Sequence, residues 1–240
     1  MATELLFERD SYRKEFQARV IEVTPEGGVI LDSTAFFPGG GGQPCDLGEL
    51  SSTGQRHAVI RAGRMGADII HSVEGRPPAV GTWLTGRLDW ERRYQLMRTH
   101  TAMHVLCGVI WRDYGALVTG GNMEPLLGRM DFEFETMHQD LVHEIEQTVN
   151  AEVALARPVL VDVLPREVAF EIPDLIRTKI NLLPESIQKV RIVEIKGLDL
   201  QADGGTHVAN TSEVGRIRVA DYKSKGKINK RMYIELERVA

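Results

Sequence analysis

The sequence predicts an α+β fold in two parts, a β domain over residues 1–88 and an α+β domain over residues 89–240. Three observations carry this. Short apolar segments punctuated by Gly, Pro and Ser fill the first part. Near Asp89 the hydrophobic period changes to that of a helix. After a second helical stretch, extended apolar segments return.

In chain order, residues 16–24 form a strand candidate, and Gly27-Gly28 turns it into residues 29–32. Further candidates lie at 57–62, 68–73 and 83–88. Many short strands punctuated in this way suggest a small barrel or sandwich. Asp89 is a good N-cap for a helix starting at Trp90. Trp90, Tyr94, Met97, Thr101, His104 and Gly108 recur at spacings of three and four, one face of a helix reaching about Tyr114, with Gly115 as its stop. A second helix is expected from Thr136, where Thr136 and Gln139 have capping-box spacing. Leu141, Ile145, Val149 and Val153 form its stripe, and Arg157-Pro158 ends it. Residues 159–164, 190–195, 216–220 and 232–237 read as strands.

Composition narrows the function. A net charge of −5 argues against bulk coating of nucleic acid, so any RNA contact needs a local basic patch. The run Lys223, Lys225, Lys227, Lys230 and Arg231 is one candidate, and a solvated hairpin turn is its plain alternative. Cys45 and Cys107 form neither a C-x-x-C pair nor a disulfide framework, which fits a reducing cytosol. The N-terminus is too charged for a signal peptide, and no apolar run approaches the roughly 20 residues of a membrane helix. The expectation is a soluble cytoplasmic protein with no membrane partner.

Three segments could carry chemistry. His100 and His104, four apart on a helix, share a face and can converge on one metal ion. Seven histidines in 240 residues give about 0.2 such pairs by chance, so the pair alone is a weak motif. Asp203-Gly204-Gly205-Thr206-His207 follows. Its glycines allow a tight turn with positive φ that could bring Asp203 and His207, both acceptable zinc ligands, toward one point. For the glycines alone, an ordinary Gly-Gly hairpin is the better reading. The third segment is Thr34 to Pro44, with Gly39, Gly40, Gly41 and Gly42 inside it. It can present bare N–H groups to a ligand, but no Gly-Lys-Ser/Thr follows, so it is not a phosphate loop. A peptidase is disfavoured, since His100-Thr-Ala-Met-His104 lacks the glutamate of H-E-x-x-H.

Together these segments resemble the AlaX family, the free-standing alanyl-tRNA editing proteins related to the editing domain of alanyl-tRNA synthetase. Residues 98–104 resemble its HTATH helix, 202–211 its CGGTHV-x-N-T segment, and 34–44 its T-x-FYP-x-GGGQP loop. The resemblance covers nearly the whole chain, keeps the family order of motifs and points to the medium-sized class. It implies a β-barrel of the translation-factor type, then an α+β domain of the threonyl- and alanyl-tRNA synthetase editing type. It implies hydrolysis of the ester in tRNA-Ala carrying serine, with glycine as a second candidate. It implies one zinc per chain on His100, His104 and His207, with Asp203 as fourth ligand, as a base beside the ligands or as a turn cap. Thr34, Gln43 and Asp203 become the candidate catalytic residues, with Thr34 reading the serine hydroxyl. Gly40, Gly41, Gly42, Lys223, Lys225, Lys227 and Arg231 become candidate contacts to the tRNA acceptor end. The chain departs from the family pattern at Asp203 (usually Cys), Met103 (usually Thr) and Phe37 (usually Tyr). The rival readings are a tRNA-binding module without activity and a metal hydrolase acting on another ester.

Overall fold

The computed structural model describes residues 3–178 and 187–238. The chain divides into two compact units, Met1–Gln95 and Leu96–Ala240.

The first unit contains β1 (Glu4–Leu5), β2 (Glu15–Val23), β3 (Val29–Leu31), β4 (Ser33–Thr34), β5 (Gly48–Ser52), β6 (Gln55–Met65), β7 (Asp68–Val73) and β8 (Trp83–Leu88). Six of these close a barrel in the order β2-β3-β7-β6-β5-β8, which resolves the barrel-or-sandwich alternative. Every pairing around it is antiparallel. Alternation along β2 sends Phe16, Ala18 and Val20 inward, where they meet Val29, Leu31, Leu50, Val59, Ile69 and Leu84. Gly86 is required by that packing, because a Cβ there would sit 2.4 Å from the Phe16 ring. Strand β5 was not expected: Gly-Glu-Leu-Ser-Ser buries only Leu50, too little for an apolar pattern to show.

Helix α1 (Trp90–Tyr114) begins in the first unit and continues into the second. Gly115, with φ of 63°, ends it as expected. The expected single buried face is only part of the truth, since residues 96–110 are buried all round. A helix enclosed on every side shows little amphipathic contrast.

The second unit continues with β9 (Val118–Glu124), β10 (Leu127–Glu133), α2 (Gln139–Ala154), β11 (Val159–Pro165), α3 (Arg166–Ala169), β12 (Lys189–Ile195), β13 (Asp199–Ala202), β14 (Ile217–Ser224) and β15 (Asn229–Leu236). They build a four-stranded antiparallel sheet, β14-β15-β10-β9, and a three-stranded one, β11-β12-β13. No helix among the described residues is long and apolar enough to cross a membrane. Two glycines let elements approach α1 closely. A Cβ on Gly128 of β10 would lie 3.1 Å from Met103 Cγ, and one on Gly108 of α1 would lie 2.9 Å from Leu198 Cγ.

Two expectations are corrected here. Helix α2 starts at Gln139 rather than Thr136, because His138 holds the extended N-cap conformation and its Nδ1 accepts the Leu141 N–H at 3.3 Å. It ends at Ala154 rather than Arg157, because Ala156 turns left-handed at φ of 50°. The hairpin β9–β10 was also missed. Its first strand, Val-Thr-Gly-Gly-Asn-Met-Glu, carries two glycines and little apolar alternation.

Candidate metal centre

His100 and His104 lie one turn apart on α1, and both are buried. Asp203 and His207 lie on the segment that leaves β13. One ligand atom from each of the four lies within 4.8 Å of every other. The His100 and His207 rings stack at a centroid distance of 4.2 Å, with His104 edge-on to both. Asp203 Oδ2 lies 2.9 Å from His207 Nε2, and Asp203 Oδ1 lies 3.6 Å from His100 Nε2.

The turn that brings these groups together is not the one expected. Neither Gly204 nor Gly205 adopts a positive φ. The turn closes through the Asp203 carboxylate, whose Oδ2 accepts the Gly205 N–H at 2.7 Å. Two bonds to Arg191 then tie the Asp203 backbone to β12: its N–H donates to Arg191 O at 3.1 Å, and the Arg191 side chain donates through Nη1 to Asp203 O at 2.9 Å.

Neighbouring side chains hold the rings. His104 Nδ1 lies 3.0 Å from Asp199 Oδ2, which also accepts from Gln201 Nε2 at 2.7 Å. His207 Nδ1 lies 3.2 Å from Thr101 Oγ1, and the Val208 N–H donates to that hydroxyl. Arg177 packs over the Trp111 ring, with Nε 3.7 Å from Asp199 Oδ1. Sequence reasoning missed Asp199, Thr101, Gln201 and Arg191. The Asp199–His104 contact spans 95 positions, and no local spacing encodes it.

Electrostatics favour a cation. Burial, then repulsion from the other histidines, outweigh Asp203's attraction and hold His100 well below the usual imidazole range. Burial likewise lowers His207 to about 4, against its hydrogen bond to Asp203. For His104 burial pushes down, but the hydrogen bond and charge of Asp199 prevail and raise it. Burial alone would raise Asp203; attraction to His100 and the hydrogen bond and charge of His207 hold it well below the carboxylate range. For His100 and His207, a neutral imidazole beside an ionised Asp203 is what a divalent cation requires of its ligands. Three imidazoles and a carboxylate suit zinc by donor type. Tetrahedral bonds of about 2 Å place donors roughly 3.4 Å apart; here Asp203 lies 2.9 and 3.6 Å from His207 and His100, and all four donors lie within 4.8 Å of one another. The donor set fits the metal.

The remaining candidates are carried by other elements. In the first unit Thr34 is fully buried. His71 Nδ1–H donates to Val29 O at 3.0 Å, so the neutral ring accepts at Nε2 from the Thr34 hydroxyl, 2.9 Å away. Thr34 Oγ1 in turn accepts the Phe36 N–H. Gly39 to Gly42 all have positive φ, so the four glycines give a shaped loop, pinned by mutual backbone bonds between Gly40 and Gln43. Gln43 is buried. Just beyond it, Asp46 accepts the Phe37 N–H and forms a buried ion pair with Arg93.

In the second unit the basic run is the β14–β15 hairpin. Lys223, Lys225 and Lys227 are exposed. Lys223 pairs with Asp221 at 3.0 Å, and Lys230 Nζ donates to the carbonyls of Gly226 and Lys227. Arg231 donates through Nε and Nη2 to both oxygens of Asp131, at 2.6 and 2.7 Å.

The family model described as the threonyl and alanyl tRNA synthetase second additional domain matches residues 190–233, which contain Asp203 and His207. The class II tRNA synthetase model matches residues 7–92. The alanyl-tRNA editing protein AlaX-M of Methanosarcina barkeri is 38% identical over 98% of this chain and 99% of its own length. The chain belongs to the AlaX-M family. The AlaX-M protein of Saccharolobus solfataricus is 40% identical over 96% of this chain and 98% of its own length. The alanine–tRNA ligase of Pyrobaculum aerophilum is 38% identical over 90% of this chain, which spans 25% of that larger protein. AlaX-M membership agrees with the two-part α+β fold, barrel first, seen here.

Proposed function

We propose that this chain is a trans-editing hydrolase that deacylates tRNA-Ala wrongly charged with serine, at a zinc-dependent site. Glycine is the second candidate amino acid. Family membership supports the alanyl-tRNA part of this reading. The single observation that carries the chemistry is the convergence of His100, His104, Asp203 and His207 within 4.8 Å.

In this reading the three histidines and Asp203 hold the ion. Zinc bound there supplies Lewis acidity and positive charge beside the ester. Asp203 keeps one oxygen in the turn and offers carboxylate charge to the centre. Thr34 reads the substrate. Its hydroxyl proton is committed to His71, which leaves an acceptor lone pair for the serine hydroxyl. Alanine has no donor to offer it. A site built for one hydroxyl discriminates strongly against an analogue that lacks it. Gln43 orients the substrate, and the N–H groups at Gly40, Gly41 and Gly42 and the exposed lysines Lys223, Lys225 and Lys227 meet the acceptor end. Arg231 belongs to the same surface, with its charge already paired to Asp131. The functional division we adopt is residues 1–88 for the barrel with its glycine loop and 89–240 for the editing domain, in the cytoplasm.

The test is deacylation of Ser-tRNA-Ala by the full chain, with Ala-tRNA-Ala as control. Rapid release of serine alone supports the reading. Equal rates on both substrates, or none on either, would sink it.

A further inference from the structure

We infer that Asp199 is a positioning residue that decides which nitrogen of His104 faces the metal. The inference rests on the proposal that the histidine cluster holds zinc.

An ionised carboxylate only accepts hydrogen bonds. Asp199 is buried, with Oδ2 3.0 Å from His104 Nδ1. The ring must therefore carry a proton on Nδ1, which leaves Nε2 as its one lone pair for a cation. The other groups around Asp199 keep that oxygen in place. Gln201 donates to the same Oδ2 at 2.7 Å. The Arg177 guanidinium, 3.7 Å from Oδ1, supports the buried negative charge. The backbone allows the approach through Gly108, one turn after His104, where a Cβ would lie 3.0 Å from Asp199 Cβ.

His207 is arranged differently. Its carboxylate neighbour, Asp203, lies at Nε2, 2.9 Å away, and its Nδ1 faces the Thr101 hydroxyl, which can either donate or accept. His104 is thus the ring whose carboxylate partner sits at Nδ1 and leaves Nε2 free for the metal. A carboxylate behind a ligand imidazole also raises its basicity, and losing it typically costs ten- to a hundredfold in metal affinity. In Asp199→Asn the amide can donate to Nδ1. That favours the tautomer with its proton on Nε2, the wrong one for binding.

The experiment is zinc titration of the full chain against a calibrated chelator, for wild type and Asp199→Asn. Melting of both metal-free proteins serves as the folding control. The expected result is a ten- to a hundredfold weaker zinc affinity in the variant. A second measurement needs no variant: nitrogen-15 imidazole spectra of the zinc-loaded wild type should place the His104 proton on Nδ1. Equal zinc affinity in a folded variant, or a His104 proton on Nε2, would overturn the inference. A wild-type chain that takes up no zinc would overturn the metal reading and the inference with it.

Discussion

Asp203 Oδ2 lies 2.9 Å from His207 Nε2, and the same oxygen accepts the Gly205 N–H at 2.7 Å. One carboxylate therefore closes the turn and faces the histidine cluster, so capping and ligation are compatible roles. Three substitutions separate their weights. Asp203→Asn keeps a capping oxygen but loses the charge; zinc affinity should drop about tenfold or more, while the metal-free melting temperature barely changes. Asp203→Ala should lose zinc affinity and about 1–3 kcal/mol of stability, because the Gly205 N–H is left unpaired. Asp203→Cys should recover zinc binding, since thiolate is a good zinc ligand. An Asn variant with undiminished affinity would reduce Asp203 to a turn cap.

The Thr34 hydroxyl is engaged on both sides, by His71 and by the Phe36 N–H. Thr34→Val should accordingly cost about 1–3 kcal/mol of stability, read by denaturant unfolding. Assayed well below its melting temperature, the variant should show a serine-to-alanine deacylation ratio reduced roughly ten- to a hundredfold. A reduced stability with an unchanged ratio would make Thr34 a purely structural barrel residue.

Burial lowers His71 to about 4, against the hydrogen bond to the Val29 carbonyl, whereas a free histidine titrates near 6.5. The neutral ring therefore favours the folded state fully above pH 6.5. That stability is lost as pH falls toward 4. At about 1.4 kcal/mol per unit, the loss from this group is about 3 kcal/mol. Unfolding measured between pH 7 and 4 should slope less steeply for His71→Asn than for wild type. Parallel profiles would remove His71 as the source.

Hydrophobic pattern made much of the fold legible. It marked β2, β3, β7 and β8 to within a residue and the middle of β6, whose span Gln55–Met65 is longer than the expected 57–62. It missed β5 and β9, where glycine and serine supply backbone pairing without apolar signal. At the candidate site, His100 and His104 were legible because a helix fixes what is four residues away. His207 and Asp203 were legible through family resemblance, and the mechanism of their turn was misread. Asp199 was illegible as a partner of His104, since a strand and a helix distant in sequence must pack before the two can meet.

The basic hairpin divides into two kinds of residue. Lys223, Lys225 and Lys227 are exposed, so replacing them with glutamine should weaken tRNA binding and reduce the slope of log affinity against log salt. Every phosphate that a lysine no longer neutralises removes roughly 0.7–0.9 of slope. Arg231 is bound to buried Asp131, so Arg231→Gln should first appear as lost stability. An unaltered salt slope in the triple-lysine variant would assign the hairpin to the solvated-turn reading.

The most direct test of the central claim pairs zinc content with Ser-tRNA-Ala deacylation in wild type and His104→Ala. The wild-type chain should carry one zinc and release serine, and the variant should lose both the metal and the activity while remaining folded. A folded His104→Ala chain that holds no zinc and still deacylates Ser-tRNA-Ala at the wild-type rate would contradict the claim.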